Sequence, residues 1–173
     1  GRLWQSAGRE TLARRAVGAG ARVLDASDPA FGELVRRLPG AVDLDAIAVL
    51  RPTAPERLPA AHRAAGELID RADQLVGLKR IDERLLIPCP GLRDALSRDV
   101  DLTGLPRAGF PRRFVGVAVD HPSVSDRVAL ARRRPSLAAY LLLDLVLDRS
   151  ELMRPDGDEV RRAAAAEVLE DAP

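Results

Sequence analysis

Residues 114–128, FVGVAVDHPSVSDRV, join an alternating apolar run to a helical pattern through Asp120 and His121. The apolar run is typical of a β-strand. Ser123, with Asp126 three positions later, is typical of a helix N-terminus. The stretch therefore predicts a strand followed directly by a helix, and it places one of the two histidines of the chain at the exit of that strand.

Three earlier segments repeat this order. In each, a short apolar run is followed, after a polar or proline-containing turn, by residues with helical spacing. The pair Thr53 and Glu56 marks the start of the longest helical pattern, and Pro59 is expected to delay or kink it. The predicted strands are ARVLDAS (21–27), AIAVL (46–50) and LLI (85–87), and the predicted helices after them cover residues 28–38, 53–76 and 91–97.

Four such strand–helix units favour an α/β fold, in which a short, mostly parallel sheet of about four strands carries helices on both faces. The continuous apolarity of residues 46–50 is typical of a strand buried on both sides. A mostly α-helical bundle is the alternative, because apolar runs this short also fit buried helices. The remaining segments are predicted as a helix over 4–17, a long loop over 99–113, a buried helix over 136–148 and a polar C-terminal helix within 151–173.

Composition limits the classes of partner. The 173 residues fit a single α/β domain over 1–173, and 46% hydrophobic with 31% charged residues excludes a disordered chain. Aromatic residues, at 3%, are too few for base-stacking platforms, and a net charge of +1 gives no field that attracts nucleic acid or anionic lipid. The longest apolar stretch, 137–147, contains Asp144 and is too short to span a bilayer. We therefore expect neither nucleic acid nor a membrane as partner.

The single cysteine, Cys89, excludes an intrachain disulfide and fits a reducing cytoplasmic location. Clustered Cys and His residues that could bind zinc are missing from the sequence, as are phosphate-loop, dinucleotide, zinc-protease and serine-hydrolase motifs. The sequence therefore predicts no metal site and identifies no cofactor. The first residue is Gly rather than Met, which fits a segment of a longer protein.

Parallel strands bring their carboxyl ends to one edge of the sheet, and ligands of open α/β sheets bind at that edge. The residues that follow the predicted strands therefore form the candidate site. Arginines of the 99–113 loop are expected to approach the same edge. The candidate residues are Asp25, Asp28, Arg51, Cys89, Asp120, His121, Arg112 and Arg113.

The first functional hypothesis is a domain that binds a small molecule carrying phosphate or carboxylate. The planar guanidinium of arginine matches such groups, so Arg51, Arg112 and Arg113 are the expected anchors. Asp25 and Asp28, together with Asp120, would supply further polar contacts at the strand ends.

The second hypothesis is a cysteine-dependent hydrolase or transferase. Cys89 precedes a predicted helix start, where the helix dipole lowers the pKa of a thiol. His121 would act as the base, with Asp120 beside it. A buried structural cysteine and a histidine that bonds a neighbouring backbone group are the alternatives.

The third hypothesis is a non-catalytic interaction or regulatory domain. In it, the apolar helix over 136–148 or the C-terminal helix packs on another domain of a longer chain or on a second copy, which makes a homo-oligomer. The concentration of leucine in LLLDLVL, residues 141–147, motivates this hypothesis.

Overall fold

The computed structural model describes Arg14, residues 49–77, 84–101, Pro111 and residues 113–170. The strand predicted over 21–27 and the helices predicted over 4–17 and 28–38 lie outside these residues, except that Arg14 is helical. The described part is a mixed α/β fold. Its helices and strands are α1 (Arg63–Gly77), β1 (Arg84–Pro88), β2 (Ser97–Asp101), β3 (Arg113–Val117), α2 (Pro122–Ala131), α3 (Pro135–Leu147) and α4 (Gly157–Glu170).

The three described strands form one sheet in the order β1-β3-β2. β1 runs parallel to β3, with Leu86 opposite Val115. β2 runs antiparallel to β3, with Ser97 opposite Val117. This described sheet is therefore mixed, whereas the sequence predicts a mostly parallel sheet of about four strands.

Two hydrophobic clusters pack against the sheet. Val115 and Val117 of β3 belong to the larger cluster, to which all four labelled helices contribute. Phe114 of the same strand belongs to the smaller cluster, because successive side chains of a strand point to opposite faces. The smaller cluster also contains Leu50, Cys89, Leu92, Val100 and Ala118. β3 is thus buried on both faces, and it is the central strand of the described sheet.

The start of α1 is set by proline. Two 3₁₀ turns, Pro55–Arg57 and Ala60–His62, precede it, so the helix predicted over 53–76 begins only at Arg63. Pro59 has no N–H to donate to a continuing helix, and it separates the two turns. Later in the chain, the predicted helices are confirmed as α2, α3 and α4. No helix of the described ranges is long and apolar enough to cross a membrane.

The strand predicted over 46–50 is wrong at its end, because Val49 and Leu50 are helical. Arg51 follows them with a φ of 51°, a left-handed conformation that ends the helical run. Leu50 is buried in the smaller cluster. An apolar run this short can be buried either as a helix or as a strand. The pattern therefore identified a buried segment but not its backbone conformation.

The helix predicted over 91–97 is also wrong. Residues 94–96 form a bend, and β2 begins at Ser97, so residues 99–101 are a strand instead of part of a loop. Pairing with β3 determines this conformation, since Val100 lies opposite Phe114 and Asp99 opposite Val115. Such long-range pairing overrides the local helical spacing of the leucines.

The outer side of β1 is bonded to the segments that precede it. The Leu86 N–H donates to Oδ1 of Asp73 in α1 at 2.7 Å, and the Pro88 carbonyl accepts from the Thr53 N–H at 2.9 Å. Burial raises the pKa of Asp73 from 3.8 to about 6, the bond from Leu86 opposes this change, and the charge of Asp70 adds to it. A partly buried carboxylate thus holds α1 against β1.

Candidate functional site

The carboxyl ends of β1 and β3 lie side by side, since the two strands are parallel and Pro88 is opposite Val117. The pairing continues one residue beyond the strands, where the Cys89 N–H donates to the Val117 carbonyl at 2.7 Å. From this edge the chain turns at Val119 and Asp120 and enters α2. Two of the predicted strand exits therefore share one edge of the sheet.

His121 is the N-cap of α2, a position that the sequence pattern had given to Ser123. Its Nδ1 accepts the Ser123 N–H at 3.1 Å, and its own backbone is extended. A nitrogen that accepts a hydrogen bond carries no proton, so the neutral imidazole holds its proton on Nε2. His121 therefore presents a hydrogen-bond donor at the start of α2, and it is less suited to act as a base through Nδ1.

Asp120 contacts the second histidine of the chain, His62, which the sequence pattern did not include in the site. Nε2 of His62 lies 2.8 Å from Oδ1 of Asp120, and the side chains are 25% and 55% exposed. Pro59 indicates an interrupted helix with His62 near its start, but no local signal indicates the contact with Asp120. The pair joins the end of the second 3₁₀ turn to the turn after β3.

The other ring nitrogen of His62, Nδ1, is buried and makes no hydrogen bond with any residue that the structure describes. In the neutral ring this atom is an acceptor, because Nε2 donates to Asp120. In either form of the ring, Nδ1 is a buried polar atom without a partner among the described residues.

Arg51 lies near the carboxyl end of β1. Two residues later, Thr53 donates its N–H to the Pro88 carbonyl at 2.9 Å and its hydroxyl to the Arg51 carbonyl at 2.8 Å. These bonds hold the left-handed backbone of Arg51, whose side chain is exposed. Of the predicted anchors within the described residues, Arg51 is the one at this edge.

Cys89 also lies at this edge but inside the protein. It is fully buried in the smaller cluster. Burial raises the pKa of its thiol to about 12, and a backbone hydrogen bond with Val117 opposes this change only in part. The helix expected after it is absent, since residues 92–93 are irregular. Its surroundings resemble those of a structural cysteine.

Arg113 lies at the opposite edge. It is the first residue of β3 and pairs with Asp101, the last residue of β2, with 3.4 Å between Nε and a carboxylate oxygen. The expectation that it approaches the edge of Asp120 is therefore not met. Asp25, Asp28 and Arg112, the other candidate residues, lie outside the described residues.

Within the described ranges, no group of three or more His, Cys, Asp or Glu side chains could hold a metal ion. Comparison of the chain with protein-family models, with curated proteins and with solved structures gives no match. The site is therefore interpreted from its own geometry.

Proposed function

We propose that this protein binds a small molecule carrying a phosphate or carboxylate at the carboxyl edge of its sheet, beside the start of α2. The observation that supports this most is the hydrogen bond from the Ser123 N–H to Nδ1 of His121. It leaves Nε2–H of a neutral imidazole as a donor for a ligand oxygen.

The backbone of α2 contributes through its dipole rather than through direct contacts. Pro122 has no N–H, Ser123 donates to the His121 ring, and Val124 and Ser125 both donate to the His121 carbonyl. The first N–H groups are thus already bonded, while the helix dipole still favours negative charge at this end. The ligand is therefore held by side chains, with His121 as the central donor.

The charges at this edge fit an anion if Arg51 takes part. Its guanidinium offers a planar pair of donors for phosphate or carboxylate. Asp120 opposes anion binding, because a carboxylate next to His121 repels a negatively charged ligand. Its hydrogen bond with His62 at 2.8 Å reduces the negative charge that a ligand meets there.

NMR titration tests the proposal with three probes: sodium sulfate, adenosine monophosphate and succinate. We expect at least one of them to shift the His121 and Ser123 resonances with a saturable dependence on concentration. His121→Ser keeps a capping oxygen but removes the imidazole, so it should weaken binding without unfolding α2.

Arg51→Asn is the second variant, because asparagine tolerates the left-handed backbone and carries no guanidinium. Arg51→Lys is its charge-preserving control. The proposal fails if no probe gives saturable shifts, or if both His121→Ser and Arg51→Asn bind as tightly as the wild type.

The other two functional hypotheses gain less support. A nucleophilic role needs a thiolate, which the burial of Cys89 and its pKa of about 12 disfavour. An interaction role for α3 needs an exposed apolar face. The helix instead places Ala138, Ala139, Leu142, Leu143, Val146 and Leu147 inside the protein.

Three finer expectations accompany the proposal. Residues 21–27 would add a further parallel strand, and Asp25 and Asp28 would then reach the same edge from its end. A cytoplasmic location rests on the single buried cysteine. Self-association would use surfaces other than the core face of α3.

A further inference from the structure

We propose that the outer face of α3 binds a second copy of this chain, with the two α3 helices antiparallel about a two-fold axis at Leu141. The core face of α3 is filled within the protein, so the dimer uses the opposite side of the helix. It does not depend on whether the protein binds an anion.

The outer face of α3 carries a leucine stripe, formed by Leu137, Leu141 and Leu145, which lie one turn apart and are partly exposed. Leu137 and Leu141 belong to neither hydrophobic cluster of the described residues, and Leu145 packs against the larger one without being buried. A helix that is apolar on both its core side and its outer side is typical of burial between two partners. The core covers one side of α3, and the leucine stripe offers the other.

A charged residue stands at each end of the leucine stripe. Arg134, the N-cap of α3, is exposed, and Asp148, the C-cap, keeps 63% of its side chain exposed. From Arg134 through the three leucines to Asp148, the intervals are three, four, four and three residues. Residues at such intervals share one side of a helix, and these intervals are the same in both directions, with Leu141 at the centre.

This symmetry favours a second copy as the partner. An antiparallel two-fold places Leu141 against Leu141 of the second copy and Leu137 against Leu145. It also places Arg134 against Asp148, so a guanidinium meets a carboxylate at both ends of the contact. A two-fold interface requires this kind of self-complementarity, whereas an unrelated partner does not.

The surroundings of the two ends carry opposite charge. Residues 132–134 are three exposed arginines at the amino end. At the carboxyl end, the guanidinium of Arg161 in α4 is shared by three carboxylates, those of Asp144, Asp148 and Asp158. One cation among three anions leaves these four groups with a formal charge of −2. Opposite charges therefore favour the antiparallel pairing over a parallel one, in which arginines would meet arginines.

The dimensions of the contact fit a weak dimer. At 1.5 Å per residue, Arg134 and Asp148 are about 21 Å apart along α3. Two helix faces of this length bury less than about 1,200 Å² in total, which is the range of transient complexes. We therefore expect association that depends on concentration, with a Kd of about 100 μM.

Sedimentation equilibrium at chain concentrations from about 10 μM to about 1 mM tests the dimer. We expect the average mass to rise from that of one chain towards that of two. Leu141→Gln should raise the Kd by at least about tenfold, because it buries a polar amide at the axis. Val49→Gln is the matched control and should dimerise as the wild type does. Val49 is 53% exposed, and it adjoins Leu50 of the smaller cluster, on the other face of the sheet from α3.

Exchange of charges tests the orientation of the two helices. Arg134→Glu and Asp148→Arg should each raise the Kd by about threefold to tenfold, because two pairs of like charges then face each other. The double variant restores opposite charges and should return the Kd to within about threefold of the wild type. Arg71→Glu, at an exposed position of α1, is the control for a change of net charge. Circular dichroism verifies that each variant is folded.

Three outcomes would overturn the proposal. The first is a wild type that remains monomeric at the highest concentration. The second is a dimer that Leu141→Gln leaves unchanged, or that Val49→Gln weakens to the same extent. The third is a folded double variant that associates as weakly as the two single variants, since an antiparallel two-fold requires the exchange to restore binding.

Discussion

A Cβ atom built on Gly91 would lie 1.6 Å from the carbonyl oxygen of Val49. The Gly91 N–H donates to the neighbouring Leu50 carbonyl at 3.0 Å. The loop after β1 is thus pressed directly on the end of the helical run at residues 49–50. This contact of backbone with backbone fixes where the chain leaves that run at Arg51.

Gly91→Ala should lower the free energy of unfolding by about 3 kcal/mol, because neither backbone can yield without breaking the bond to Leu50. Urea denaturation followed by circular dichroism measures this. Gly157→Ala is the matched control, since among the described side chains its Cβ would meet only Arg161 Nη1, at 3.9 Å. Equal stability of the two variants would contradict the close approach.

Gly116 of β3 and Cys89 should be energetically coupled. A Cβ on Gly116 would lie 2.8 Å from the Cys89 Sγ, but 3.6 Å from its Cβ. Gly116→Ala should therefore cost about 1–3 kcal/mol on its own. In the double variant with Cys89→Ala, the combined cost should be smaller than the sum of the single costs by about 1 kcal/mol. Strictly additive costs in the double-mutant cycle would show that the sulfur does not occupy this space.

Asp73 should make the protein less stable as the pH rises. The folded carboxyl has a pKa of about 6 and its ordinary value is 3.8, so between these values the folded state keeps a proton that the unfolded state has lost. The contribution to stability is therefore complete below the lower value and is lost as the pH rises through the upper one.

Asp73→Asn removes this slope and can still accept the Leu86 N–H. At neutral pH it should be more stable than the wild type by about 1–2 kcal/mol, after allowance for solvent screening of a partly exposed group. Denaturation midpoints measured from pH 4 to pH 7 provide the comparison. Glu67→Gln, an exposed carboxylate on the same helix, is the control for the removal of a carboxylate, and an identical slope in all three proteins would refute the assignment.

The cap of α2 should depend on the His121 side chain. His121→Ala removes the acceptor of the Ser123 N–H and should cost about 1 kcal/mol, whereas His121→Asn should restore most of this because asparagine is a good N-cap. Thermal unfolding of the three proteins measures the difference. Nitrogen chemical shifts of the wild-type ring should identify the neutral form with its proton on Nε2, and the opposite tautomer would be inconsistent with the cap.

The sequence anticipated those elements whose signals are local. The apolar runs around Leu86 and Val115 became β1 and β3, and α2 follows β3 as its turn residues indicate. β2 could not be predicted from local sequence, because Ser97–Asp101 is polar at most positions and forms a strand by pairing with β3. Val49 and Leu50 show the limit of a short apolar run, which reports burial but not conformation.

The candidate site was anticipated to a similar extent. The position of Asp120 and His121 at a strand exit follows from local order, whereas the partner of Asp120 does not. His62 is more than fifty residues earlier in the chain, and only the packing of the segment before α1 brings it to Asp120. Arg113 is close to Asp120 in sequence but not in space. It begins β3 and Asp120 follows the end of that strand, so the two residues lie at opposite edges of the sheet.

The bonds on the outer side of β1 also bear on how the protein behaves at high concentration. A strand at the rim of a sheet invites the same strand of a second molecule to add to it, which is a common start of fibrous aggregation. β1 is an edge strand of the part of the sheet that the structure describes, and in it the Leu86 N–H is taken by Asp73 and the Pro88 carbonyl by Thr53. These two groups cannot bond to a strand of another molecule. Asp73 therefore opposes aggregation, although its partly buried charge lowers the free energy of unfolding.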